Sequence, residues 1–369
     1  MAIKKIITCL IPAIIIGTAE CFCQTAPDSK PLCFQLSAAG GFPSRETQIN
    51  GALHQYNFTV SNQFNEKSLS GYYGPGGYYP SLGLSAGIYH YDRATYPKGT
   101  PYSNHYSLSI HYEQTFWSSG RWSSYYLLEE GFGYTDKGFD PVKRPETTFG
   151  GHFHVAFHMG AFISYDISDH FRLSAGPSYA HHSNSRTHRV NTGCDAVSAE
   201  LALTYFYEPV QRQTKKTDVE SMGVRKRYWD IQYGACITGG SEGYSRFWTY
   251  VSHKVSAAHL WRAFRRFAFG IGADAFFDKG GYENRNAFGT CGAIDCFLTK
   301  NLLISGRLGA YLNGKSLNNS LFYETIGLNY TLDQNKWYIP YLGFSTKANL
   351  NKAEHLEILI GFRFGRNRA

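Results

Sequence analysis

Long stretches of this sequence alternate between two kinds of side chain, one residue at a time. From Phe153 the odd positions are Phe153, Val155, Phe157, Met159, Ala161, Ile163 and Tyr165, with His152, His154, His158, Gly160 and Ser164 between them. From Phe171 the odd positions are Phe171, Leu173, Ala175, Pro177 and Tyr179, against Arg172, Ser174, Gly176 and Ser178. Near the C-terminus Leu356, Ile358, Ile360, Phe362 and Phe364 alternate with His355, Glu357, Gly361 and Arg363. A period of two held over about ten residues puts alternate side chains on opposite faces of a β-strand. One face is apolar and aromatic; the other carries small, polar and charged groups. Composition agrees. Only 17% of the 369 residues are charged while 16% are aromatic, which argues against a disordered chain, a coiled coil or a long solvated helix. A mean hydropathy of -0.33 argues against a helical membrane protein.

Two all-β architectures satisfy that pattern. A soluble sandwich turns the apolar face inward, whereas an outer-membrane barrel turns it toward lipid and fills its lumen with the polar face. Export favours the barrel. Lys4 and Lys5, the apolar run from Ile6 to Ala19 and the small-residue boundary Cys21-Phe22-Cys23 read as a secretory signal peptide over residues 1–23. The length and Tyr, Phe and Trp content of the strands suit aromatic girdles, and the last alternating segment ends close to the chain end, at Phe362-Arg363-Phe364. The expected fold is therefore an antiparallel transmembrane β-barrel over residues 24–369, in the bacterial outer membrane, inserted by the barrel-assembly machinery. The best count is roughly 14 strands, within a range of roughly 12–16. The firmest strands are 31–40, 52–64, 80–92, 103–115, 122–134, 153–166, 169–183 and 195–207, with six to eight more between Tyr228 and Phe364. The alternation shows no domain boundary, and Pro209–Arg227 is the best candidate for a long connection.

Past the signal, five cysteines remain: Cys33, Cys194, Cys236, Cys291 and Cys296. An odd number is no disulfide framework, although Cys291 and Cys296 are close enough in sequence to pair. His152, His154 and His158 share a strand face, but the third lies about 13 Å along the strand from the first pair, so no metal site is expected there. No nucleic-acid partner is expected for an exported chain.

Chemistry concentrates at residues 181–195. His181 and Ser183 continue the apolar phase of Phe171 to Tyr179. Asp195 opens the apolar phase of the next strand, through Val197, Ala199, Leu201 and Leu203. Three residues able to form a Ser–His–acid triad thus fall on one face of two adjacent strands. A hydroxyl becomes a nucleophile when an imidazole takes its proton, and an acid fixes the imidazole and stabilises its charged form. Asn191 and a backbone N–H near Arg186 are candidate oxyanion donors. The competing reading is a polar loop at a barrel rim. Polar groups on the lipid face belong near the membrane edge, where they cost about 0–1 kcal/mol, so this segment is placed where strands meet a loop. As the seventh strand, 169–183 ends at the outer leaflet.

The run His181-His182-Ser183-Asn184, followed by Asn191, Gly193 and Asp195, resembles the motif of the outer-membrane lipid A 3-O-deacylase family. The nearer likeness is to the long members labelled acyloxyacyl hydrolases. Residues 122–140, from Trp122-Ser123-Ser124-Tyr125-Tyr126 to Phe139-Asp140, and Phe171-Arg172-Leu173-Ser174-Ala175-Gly176 extend it. It covers about 31–208 well, and the C-terminal part only as barrel-like sequence. It implies a barrel with its triad on the lipid-facing exterior, hydrolysing an ester-linked acyl chain of lipid A or lipopolysaccharide without metal or cofactor. It makes Ser183 the nucleophile, His181 the base, Asp195 the orienting acid, Asn191 an oxyanion-hole side chain and Asn184 a motif residue. Two positions depart from the family: the acid there is Glu, and the Ala-Gly after the motif is here Ser185-Arg186. The other reading is a non-catalytic barrel, a pore or structural protein with a vestigial motif.

Overall fold

The computed structural model describes residues 32–43, 50–63, 80–95, 104–136, 151–183, 193–210, 226–239, 249–263, 267–280, 283–298, 301–313, 320–332, 338–349 and 352–365. The expected signal segment lies outside these. Among the described residues, sixteen antiparallel strands form two closed barrels of eight.

The first barrel runs through β1 (Leu32–Pro43), β2 (Asn50–Gln63), β3 (Ser81–Thr95), β4 (His105–Ser119), β5 (Trp122–Thr135), β6 (Phe153–Asp166), β7 (Phe171–Ser183) and β8 (Cys194–Phe206). Each strand pairs with the next, and β1 returns to β8 with Leu36 opposite Leu203. Closure leaves no edge, as a wall in contact with hydrocarbon requires. The alternation is seen in the burial of β8, where Cys194, Ala196, Ser198, Glu200, Ala202, Thr204 and Phe206 are buried while Val197, Leu201 and Leu203 are exposed.

An eight-stranded barrel has an interior just wide enough for side chains to fill. Here polar groups do the filling, and several pair with one another. The Arg172 guanidinium donates from Nε to Asp166 Oδ1 (2.9 Å) and reaches Glu113 Oε1 with Nη1 (3.4 Å). Glu129 takes His111 Nδ1 on one oxygen and His158 Nδ1 on the other, both at 2.8 Å, and His158 Nε2 lies 3.2 Å from Glu200. Aromatic pairs sit on the outer wall. Trp122 and Tyr165 stand 4.9 Å apart, and Phe171 and Tyr205 5.2 Å apart, where β5 and β7 begin and β6 and β8 end. Amphipathic rings at that level suit a membrane interface.

The second barrel comprises β9 (Arg227–Gly239), β10 (Thr249–Arg262), β11 (Phe267–Gly280), β12 (Glu283–Phe297), β13 (Leu302–Asn313), β14 (Phe322–Thr331), β15 (Tyr338–Asn349) and β16 (Lys352–Phe364). It closes where β16 pairs with β9, Ile360 opposite Tyr233. Ile231, Ile271, Leu308, Ile326, Ile358 and Phe362 face outward. Inside, Arg307 bridges Asp230 (3.2 Å) and Asp274 (3.3 Å), Lys254 pairs with Glu357, and Tyr323 donates to Asp274 (2.6 Å).

The all-β antiparallel class holds. The strand count is sixteen rather than 14, and two closures replace the single cylinder expected over 24–369. Alternation continues through both because each barrel obeys the same rule of apolar outside and polar inside. The break falls at the expected connection after Pro209. Cys291 and Cys296 are both free thiols. They lie five apart on one strand and so point to opposite faces, which rules out a bridge.

Candidate active site on the outer wall of the first barrel

β7 and β8 carry the candidate site at their joined ends. Ser183 is the last residue of β7 and Cys194 the first of β8. His181 lies directly opposite Asp195 in the register of the two strands. Both are in the outward phase and partly exposed, the imidazole at 35% and the carboxylate at 26%. Asp195 Oδ1 accepts from His181 Nδ1 at 2.6 Å. A carboxylate can only accept, so Nδ1 carries the proton, and Nε2 is the ring nitrogen left to receive one. The same Oδ1 accepts from the Tyr179 hydroxyl at 2.5 Å. Asp195 is thus held from two sides by side chains of the neighbouring strand.

Gly193 immediately precedes β8. Its φ of 68° is in the left-handed region, which a glycine enters without penalty, and it leads the chain into β8 one residue before Cys194. A Cβ built there would stand 3.6 Å from His181 Cε1, in ordinary contact. The need for glycine at this position is therefore conformational, and the register of β7 and β8 places Asp195 across from His181.

Of the residues singled out in the sequence, His181 and Asp195 are brought into contact. Ser183 lies two residues beyond His181 in the same outward phase, opposite Val155 of β6, and is buried at 4% exposure. Asn184, Arg186 and Asn191 fall outside the described residues. Tyr179, which the motif does not include, joins His181 and Asp195 through the Asp195 carboxylate. Its signal was available, since it precedes His181 by two and so shares its face. His182, out of phase in the sequence, points into the lumen with His154 and His158, all three buried. His152 precedes β6 and bonds through Nδ1 to the Thr135 carbonyl at 2.8 Å.

Closed antiparallel strands with an apolar exterior and a polar, side-chain-filled lumen define the class: transmembrane β-barrels of the bacterial outer membrane. Residues 227–367, which span the strands of the second barrel, match the family model described as acyloxyacyl hydrolase, C-terminal domain. His181 and Ser183 lie outside this match, on β7 of the first barrel. No curated protein matches the chain.

Among solved structures, the outer-membrane enzyme PagL is 13% identical with a TM-score of 0.34, over 46% of this chain and 97% of that one. Neisserial surface protein A is 12% identical with a TM-score of 0.32, over 48% and 97%. The Acinetobacter baumannii outer-membrane protein Omp33 is 9% identical with a TM-score of 0.18, over 91% and 98%.

Proposed function

We propose that this chain is an outer-membrane serine esterase that hydrolyses an ester-linked acyl chain of lipid A, with Ser183 as nucleophile, His181 as base and Asp195 as orienting acid. The observation that carries the reading is the His181–Asp195 hydrogen bond of 2.6 Å on the outward face of β7 and β8, at their rim. Such a pair is costly facing hydrocarbon and suits a substrate that arrives laterally in the leaflet. The family model over the second barrel supports the reaction class. A pore reading is opposed by the lumens, which Arg172 and its partners fill in one barrel and Arg307 and its partners in the other.

The reaction balances on these groups. The Ser183 hydroxyl attacks the ester carbonyl carbon as its proton passes to His181 Nε2. Asn191 and the backbone N–H of Arg186 are the proposed donors to the oxyanion. Collapse expels the alcohol of the ester, which takes the proton back from His181 and leaves an acyl-serine. Interfacial water, deprotonated by the same imidazole, then releases the fatty acid. The net charge of +8 suits an anionic lipid.

Lipid A extracted from cells expressing the chain should be lighter by one acyl group than lipid A from cells without it. Identical mass spectra, with the barrel folded in the outer membrane, would remove the proposal. Tyr179→Phe tests the positioning of the acid. A hydrogen bond to a charged group contributes about 1.5–3 kcal/mol, and Asp195 keeps its His181 partner, so acyl release should slow by roughly 3- to 30-fold. A rate equal to wild type would show that the phenol does nothing for Asp195.

A further inference from the structure

On the lumen side of the same strand ends, three imidazoles meet. His105 opens β4, His154 is the second residue of β6, and His182 is the next-to-last of β7. In an antiparallel barrel the starts of even strands and the ends of odd ones share a rim, so topology alone brings these three to one mouth of the lumen. Each offers a ring nitrogen, and the three nitrogens all lie within 4.8 Å of one another. All three rings are buried, at 0%, 4% and 0% exposure. Ring centroids stand 4.9–5.1 Å apart around the triangle.

We propose that His105, His154 and His182 form a binding site for a divalent transition-metal ion, zinc foremost, inside the mouth of the first barrel. Three imidazoles are a recurrent donor set for such ions, which prefer borderline nitrogen ligands. His154 Nε2 and His182 Nδ1 are already 3.0 Å apart. Two nitrogens on one tetrahedral zinc, each at about 2.0–2.1 Å, stand about 3.3 Å apart. A ring nitrogen of His105 lies within 4.8 Å of one on each of the other two rings. His182 Nε2 has no hydrogen-bond partner among the described residues, although the ring is fully buried. Burying a polar atom unsatisfied is unfavourable, and a shift of this ring that presents Nε2 to a metal turns that deficit into a bond.

The surroundings are shaped for these rings. Gly133 of β5 faces His154 in register, and a Cβ there would stand 2.1 Å from His154 Nε2. Any larger residue would drive the ring out of the triangle. Tyr89 packs edge-on against His182 at 4.4 Å, and Tyr91 covers His105 at 5.3 Å while its hydroxyl meets the Cys194 thiol at 3.1 Å. Leu53, Ala180 and Ala196 complete an apolar collar. A metal there would tie β4, β6 and β7 together on the inner side of the wall whose outer side carries His181 and Asp195. The proposal does not depend on the catalytic reading.

The test uses the full-length mature chain, without a histidine tag, folded in detergent. Titration with zinc against a chromophoric chelator should show one ion bound per chain, and zinc should raise the thermal unfolding midpoint. His105→Gln and His154→Gln should each weaken binding at least 100-fold, and Gly133→Ala should weaken it as well. His90→Gln, at an exposed position outside the cluster, should bind like wild type. Cobalt(II) added to the wild-type chain should give the intense visible absorption of a tetrahedral nitrogen-ligated ion, a readout that needs no variant. Folded wild-type chain that takes up no zinc and gives no such spectrum would overturn the proposal. So would unchanged affinity in both histidine variants.

Discussion

Ser183→Ala should reduce acyl release from lipid A by roughly 10³- to 10⁶-fold, measured as initial rates in mixed micelles. The alanine removes the only atom the proposed mechanism makes covalent, and nothing in that mechanism substitutes for it. The effect should be non-additive. His181→Ala alone should cost about as much, and the double variant little more than either, because a triad works as one unit. Asp195→Asn is the sharper probe. It keeps size and packing next to Tyr179 and His181 but presents the ring with an uncharged amide, so it no longer fixes Nδ1 as the protonated nitrogen or stabilises the imidazolium. Loss of roughly 10²- to 10⁴-fold is expected. Glutamate at 195, the residue of the family motif, should retain activity if the longer arm still reaches Nδ1. A Ser183→Ala rate within tenfold of wild type would remove Ser183 from the chemistry while leaving the esterase reading open to another nucleophile.

Arg307→Met should destabilise the second barrel by about 3–5 kcal/mol, read as a lower urea midpoint for the protein in vesicles and as loss of the heat-modifiable band. Arg307 is 5% exposed and lies between two buried carboxylates, Asp230 and Asp274, at 3.2 and 3.3 Å. Methionine has a similar apolar stem but leaves two negative charges facing each other in the lumen. Arg363 approaches Asp230 only to 3.9 Å and is shared with Asp295, so it cannot take over. Lysine should rescue poorly, since a single ammonium does not span both carboxylates as the planar fork does. Removing the charges along with the cation, as Asp274→Asn in the Arg307→Met background, should recover part of the loss. The adjacent residue gives the contrast. Leu308 is 68% exposed on the outer wall, and Leu308→Ala should change stability far less, because no buried charge loses its partner. Equal effects at 307 and 308 would mean that the ion pairs do not hold the lumen.

Much of this was readable in the sequence because the membrane imposes a simple rule. Lipid outside and packed polar groups inside force period-two alternation along every wall strand. The strands expected at 122–134 and 153–166, for instance, lie at Trp122–Thr135 and Phe153–Asp166. The shared phase of His181 and Asp195 was legible for the same reason, and so, had it been followed, were the face of Tyr179 and the opposed faces of Cys291 and Cys296. Side-chain phase is local, and a period of two passes it along the chain without reference to anything distant.

Closure is not local. Nothing in the alternation says that β8 returns to β1 through Leu203 and Leu36, or that β16 returns to β9, because both partners of each seam look like any other wall strand. The division into two barrels of eight was therefore settled by pairings between residues more than 100 positions apart. The same holds for the sites. Asp195 could be assigned a face from sequence, but its 2.6 Å contact with His181 depends on strand register. His105, His154 and His182 carry no spacing signal at all, since three strands gather them at one rim. The sequence by itself determined which way each side chain points; only the three-dimensional pairing decided which of them meet, because hydrogen-bond register between strands is set by closing the cylinder and not by any residue alone.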